Sequence, residues 1–158
     1  MRKLLFAICA TLLFSSPCIA QTKFETKWHC QKPSAEHHFD VGDQPDHTYG
    51  IAQGPCSATS GGKDFGEKTG QFTEFDEEWK ASMTGHRFLV TTESGDKVFY
   101  IYETSGATDP AKPASNKWKI SGGTGKFKDA KGSGTCTGKR NTDGSSDWQC
   151  TGTHTGGK

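Results

Sequence analysis

Residues 120–139 read Ile-Ser-Gly-Gly-Thr-Gly-Lys-Phe-Lys-Asp-Ala-Lys-Gly-Ser-Gly-Thr-Cys-Thr-Gly-Lys. Paired glycines end one alternating segment, a lone aromatic, Phe127, occupies the middle, and Gly132 and Gly134 lead into a second alternating segment that carries Cys136. Glycine reaches positive φ and lets neighbouring backbones approach, so the stretch predicts a strand, a bend and a strand at a corner of a closed antiparallel sheet. The glycines do not spell a phosphate loop. A P-loop ending in Gly138-Lys139 would need glycine at Ser133 and Ser or Thr at Arg140, and one ending in Gly125-Lys126 would need them at Ile120 and Phe127. A dinucleotide fingerprint starting at Gly123 fails at Lys128, with no helix pattern behind it.

Outward from this corner the chain is β throughout. No segment sustains apolar residues at i, i+3, i+4 and i+7, whereas several alternate with period two between clusters of Gly, Asn, Asp and Pro. Strands are expected at 24–30, 47–52, 57–60, 68–75, 80–92, 97–104, 116–121, 132–139 and 147–154. That many short strands without room for crossover helices predict a barrel or a sandwich. With only 31% hydrophobic residues a thick two-sheet core is hard to fill, while a barrel needs just one apolar face and hides its edges. The fold class expected is all-β, a closed antiparallel barrel. Residues 105–115, with two prolines and no pattern, read as a surface loop or a lid over one mouth.

The first twenty residues have the form of a signal peptide. Arg2 and Lys3 precede an apolar run over 4–14, and Cys18-Ile19-Ala20 places small residues where a signal peptidase cuts. The run is too short to span a bilayer, which takes roughly 20 apolar residues. The expectation is therefore a leader over 1–20, one barrel domain over 21–158, a secreted or periplasmic location and no membrane contact after cleavage. Losing Arg2 and Lys3 from 19 basic residues, against 18 acidic ones, leaves a formal charge of −1, too little to steer nucleic acid. Lys126, Lys128, Lys131 and Lys139 cluster but lack the interleaved aromatics of a stacking platform, so no nucleic-acid partner is expected.

Four cysteines follow the leader, and an even number in an exported chain predicts disulfides. Segments 135–139 and 147–151 flank Asn141-Thr142-Asp143-Gly144-Ser145, whose Asp-Gly step supplies the positive φ of a hairpin. Folding there sets Cys136 opposite Cys150, and Cys30 pairs with Cys56 by elimination, each bridge being worth roughly 3 kcal/mol in the loop-entropy account. No Cys-x-x-Cys spacing or Gly-x-Ser-x-Gly elbow is present to support metal, redox or nucleophilic chemistry at these positions. His37, His38, Asp40, Asp43, Asp46 and His47 do crowd together, but the turn residues among them predict a mobile loop that does not preorganise ligands, so neither metal nor cofactor is expected.

In a barrel the chemistry falls to polar groups that face inward. Over 97–103 both parities are apolar-rich, with Val98, Tyr100 and Tyr102 on one and Phe99, Ile101 and Glu103 on the other. The inward set would supply hydrogen-bonding groups in an apolar wall, and the outward one a subunit contact that makes a homo-oligomer. The ligand-binding candidates are Tyr100, Tyr102, Glu103 and Trp118. Glu103 and Glu74 are the acid–base candidates, since burial would raise a carboxyl toward neutrality. Phe72 and Phe75 lie on opposite parities, which predicts a bulge or rim near Glu74. The four tryptophans read as core and strand-pairing residues.

Phe24, Trp28 and Cys30 form a Phe-x-x-x-Trp-x-Cys start, Asn116 to Trp118 precede Gly-Gly-Thr-Gly-Lys-Phe at 122–127, and the paired cysteines 136 and 150 close the chain. In these features the chain resembles the allene oxide cyclase and dirigent-like β-barrel group, and within it small secreted bacterial members. The resemblance covers nearly all of 21–158 and implies an eight-stranded, calycin-like antiparallel barrel with a central cavity. It transfers no functional residue, because some members of the group are cyclases and others guide radical coupling without oxidising anything. Three functions follow as expectations: an exported barrel that holds a small, largely apolar ligand, a cofactor-free isomerase or cyclase on the same scaffold, or an exported structural or protein-interaction module.

Overall fold

Side chains that alternate between buried and exposed mark β1 (Thr22–Cys30), where Phe24, Thr26, Trp28 and Cys30 are buried and the residues between them are exposed or half-buried. The computed structural model describes residues 21–45, 47–61, 65–78, 86–105 and 112–157. The leader, Asp46, Trp79, the first residues of the strand expected from 80 and most of the loop over 105–115 lie outside the described residues. After β1 come β2 (Ala35–Asp40), β3 (Thr48–Gly61), β4 (Glu67–Glu78), β5 (His86–Thr92), β6 (Lys97–Ser105), β7 (Ala114–Gly123), a 3₁₀ turn (Gly125–Phe127), β8 (Lys131–Arg140) and β9 (Ser146–Thr155).

All pairings among the described strands are antiparallel, in the order β1-β9-β8-β7-β6-β5-β4-β3-β2, and β1 also pairs with β3. That pairing closes an eight-stranded barrel of β1 and β3 to β9, with β2 left outside. The 14 residues of β3 make this possible, since its last six residues meet β1, its first six residues meet β2, and β4 runs alongside from 48 to 57. Both disulfides lie on directly paired positions, Cys30–Cys56 at the closure and Cys136–Cys150 in the β8–β9 hairpin. The hairpin turn has Gly144 at φ 86°, and the Asp143 carboxylate accepts from the Ser145 hydroxyl and backbone N–H, which lowers its pKa.

Three sequence readings change. The segments expected at 47–52 and 57–60 are one strand, because Gly54 fits under the Phe72 ring and the Pro55 carbonyl accepts from the Gln31 N–H, so neither residue breaks the sheet. Residues 35–40 are a strand where a mobile loop was expected; all six are exposed, so no alternation betrays a strand that pairs along β3. Of the bulge or rim expected near Glu74, the bulge is ruled out by the unbroken β3–β4 register there, and the bulge of β4 lies between Glu67 and Thr69.

One end of the barrel is sealed. Phe65 and Phe127 are almost wholly buried, their rings 4.9 Å apart, with Phe24 and His154 packed against Phe65. Above this plug large rings lie on bare glycines of neighbouring strands. A Cβ at Gly134 or Gly152 would come within 2.6 Å or 2.5 Å of Trp118 Cζ2, and one at Gly70 would meet Phe88. Large and small residues thus interdigitate across the wall. Gly134→Ala should cost at least about 2 kcal/mol, because the methyl group also meets the Thr151 carbonyl and cannot be relieved by turning a side chain. Urea denaturation checks it, and an unchanged midpoint would refute the packing argument.

Candidate functional site

The inward side chains leave a cavity of about 260 Å³, close to the lower end of small-molecule pockets, at roughly 300 Å³. The turn Gly125–Phe127 and the plug lie at one end of the barrel, and the exposed residues Glu36, Lys112 and Arg140 line the other. Between them Trp28, Phe72, Phe88, Tyr100 and Trp118 form an aromatic wall. Ring contacts hold it in place: Trp28 meets Phe88 edge-on at 5.0 Å, and Tyr100 meets Trp118 edge-on at 5.6 Å.

Burial separates the two parities of β6. Val98, Tyr100 and Tyr102 face inward, while Phe99 and Glu103 are exposed and Ile101 is half-buried. Glu103 therefore stands on the outer face and is no part of the cavity, which corrects its place among the ligand-binding and acid–base candidates. The reason is that Leu89, Phe99 and Ile101 form an apolar outer strip beside it, so hydrophobicity alone does not reveal the inward face. Tyr100, Tyr102 and Trp118 line the cavity, and Glu74 does so as a half-buried group that accepts a 3.0 Å hydrogen bond from the Tyr102 hydroxyl.

The sequence reading missed Glu67. Strict alternation along β4 would place it outside with Thr69, Gln71 and Thr73, but the bulge at Lys68 turns it inward with Gly70 and Phe72. Only 7% of Glu67 is exposed, and its Oε1 accepts a 2.6 Å hydrogen bond from the Tyr100 hydroxyl. Burial pushes its pKa from 4.5 to about 7, against the pull of the Tyr100 hydrogen bond and the neighbouring Thr26 hydroxyl. Tyr100 is raised well above 10 by its own burial and then by the Glu67 charge, so it stays a donor. Glu67 Oε2 and Trp118 Nε1 are both buried without a hydrogen-bond partner among the described residues.

The histidine-rich segment is divided by the fold. His37 and His38 are exposed on β2, His38 lies 3.0 Å from Glu36, and the buried His47 lies 2.6 Å from Asp43. Among the described residues no three His, Cys, Asp or Glu side chains converge on a common point as metal ligands would. On the outer surface Phe39 lies opposite Tyr49 and Ile51 opposite Phe75, giving an exposed apolar strip across β2, β3 and β4.

Glu67 carries a signature in stability against pH. Its folded-state pKa lies above the unfolded value, so its contribution is complete below pH 4.5, declines as pH rises, and has lost roughly 3 kcal/mol by about pH 7. Glu67→Gln should remove this slope and make the variant relatively more stable at neutral pH. Denaturation midpoints across that range read it, and parallel profiles for the two proteins would place Glu67 in water.

No family model matches the chain, and no curated protein matches it. Among solved structures it is similar to the pterocarpan synthase dirigent protein GePTS1, with 15% identity, 86% of this chain and 85% of that one covered, and a TM-score of 0.49. It is also similar to the pterocarpan synthase dirigent protein PsPTS1, with 12% identity, 88% and 97% covered, and a TM-score of 0.38.

Proposed function

We propose that this protein is an exported barrel that holds a small, largely apolar ligand in its cavity. The observation that carries the reading is the aromatic-walled cavity itself, plugged at one end and lined by exposed residues at the other. A folded chain with so few hydrophobic residues would be expected to fill such a space with side chains if nothing else occupied it. The leader read over residues 1–20 and the two disulfides support export, since such bridges persist in oxidising compartments. The motif resemblance supports placing the chain with the secreted, allene oxide cyclase-like branch of the dirigent-like barrels.

Glu67 favours a second reading on the same cavity, a cofactor-free isomerase or cyclase. A carboxyl with a pKa of about 7, held against a tyrosine donor and shielded from water, suits proton transfer near neutrality. In that reading Glu67 takes the role assigned by sequence to Glu103, and Glu74 is the second acid. The outer strip around Phe39, Tyr49 and Phe75 is in turn the surface through which we propose self-association.

A neutral fluorescent probe, N-phenyl-1-naphthylamine, tests the binding reading. It should bind the native protein with one-to-one stoichiometry, and Ala52→Trp, which places a large ring in the cavity from β3, should abolish binding while the far-ultraviolet spectrum stays native. Failure of the native protein to bind the probe, or undiminished binding by the folded variant, would sink the reading.

A further inference from the structure

β2 ends the strand order among the described strands and pairs there with β3 alone, outside the barrel, so its second edge faces away from the sheet. The Val41 N–H donates to the His47 carbonyl oxygen at 3.0 Å, which continues the β2–β3 ladder and fixes its parity. Odd-numbered residues turn their backbone groups to β3, and Glu36, His38 and Asp40 turn theirs to the outer edge. Soluble proteins guard such an edge with lysine, proline or a bulge. Residues 35–41, Ala-Glu-His-His-Phe-Asp-Val, contain no lysine or proline, and the β2–β3 register is unbroken. The edge is also apolar. Of the five exposed large hydrophobics among the described residues, Phe39, Val41, Tyr49 and Phe75 lie on or beside this hairpin, and Phe39 is the most exposed at 64%.

Resting on the self-association proposed above, we infer that the occupant of this edge is a second copy of the chain, paired antiparallel, β2 to β2, about a two-fold axis at Phe39. A symmetric ladder has to match even-numbered residues with even-numbered ones, since those carry the outward backbone groups, and this places the axis on a residue. An axis at Glu36 or Asp40 opposes a carboxylate to itself, and one at His38 sets Glu36 against Asp40 of the second copy; all three bring like charges together. An axis at His37 matches Glu36 with His38 of the second copy but leaves Phe39 facing only Ala35. An axis at Phe39 sets His38 against Asp40 on both sides, and it brings the two Phe39 rings together as a close, non-hydrogen-bonded pair. The segment from His37 to Val41 then reads as a chemical palindrome, which is what an isologous contact requires. Charge complementarity and the apolar centre select the same register.

The neighbouring strands extend the contact. Phe39 is opposite Tyr49 on β3, and Ile51 is opposite Phe75 on β4, so the strips of the two copies join across the axis into one apolar band. His38 keeps its contact with Glu36, 3.0 Å away on its own strand, and Glu36 itself falls outside the paired segment. A ladder this short belongs with small, transient interfaces, so the dimer should form at micromolar rather than nanomolar concentration.

Sedimentation of the protein without its leader, from about 1 to about 200 μM, should show a monomer–dimer equilibrium. Two substitutions at exposed positions test the register. His38→Glu and Asp40→Lys each remove both His38–Asp40 pairs and should weaken dimerisation at least about tenfold. Mixed in equal amounts, the two variants should form a heterodimer of nearly wild-type affinity, because the new carboxylate meets the new ammonium and one His38–Asp40 pair is kept. With Cys30–Cys56 and Cys136–Cys150 already bridged, Phe39→Cys places a lone thiol on the axis and should give a covalent dimer under mild oxidation. Tyr49→Cys and Phe75→Cys, on the same strip but away from the axis, should not, and far-ultraviolet spectra check that each variant is folded. Dimerisation that the charge variants leave unchanged, or crosslinking through Tyr49→Cys or Phe75→Cys as readily as through Phe39→Cys, would mean that the strips pack face to face; it overturns the inference and leaves self-association intact. A monomer at every concentration overturns both.

Discussion

The arrangement depends on the meeting of β1 with the last six residues of β3. Without that pairing the eight strands would form an open, twisted ribbon with two raw edges, and no residue would have a fixed inside or outside. Cys30 opposite Cys56 pins the register at this seam, and a slip of one residue would turn Phe24, Trp28 and Cys30 outward together. β3 also carries β2 on its first half, so the seam involves only the part of β3 that β2 leaves free.

Once closure fixes the inner face, size complementarity does what bulk hydrophobicity cannot. The 31% of hydrophobic residues includes few Leu, Ile or Val side chains facing inward; the interior is made of aromatic rings laid on glycines. Gly134 and Gly152, paired across β8 and β9, both lie beneath Trp118. A ring whose edge occupies the place of a missing Cβ sinks into the wall and projects less toward the axis than it would above a side chain. Space therefore remains at the centre even though the lining is tightly packed, and the same glycines that give the sequence its loop-like look hold the wall together.

The parts of this molecule that local chemistry determines were legible in its sequence. Asp143-Gly144 dictates a hairpin turn, and counting outward from it pairs Cys136 with Cys150; the strands around Phe24, Trp118 and Cys150 follow from plain alternation. Where an inference needed the far side of the sheet, reading by parity failed. Phe99 and Ile101 are as apolar as Val98 and Tyr100, so only closure shows that Glu103 points outward. Glu67 follows Gly66 and precedes a bulge, so its parity is reset by one residue that no pattern marks. β2 has no buried face to produce a pattern, and Gly54-Pro55, which looks like a break, is accommodated by Phe72 above it and by the Gln31 N–H beside it.

Two tyrosine–glutamate pairs join β6 to β4 inside the barrel, and their different depths give them different chemistry. Tyr102 and Glu74 form a half-buried pair, where solvent can share the cost of a charge. Tyr100 and Glu67 are buried, and the Glu67 carboxyl can escape the penalty of ionisation only by keeping its proton. A leucine at position 67 would avoid this cost in a barrel whose sole task was to stand. The bulge at Lys68 is what turns the acid inward, so the chain interrupts a regular ladder to place a titratable group against a tyrosine at the cavity wall. A structural cost taken twice, in pairing and in desolvation, marks the neighbourhood of Glu67, Tyr100 and Trp118 as the part of the interior that packing does not explain.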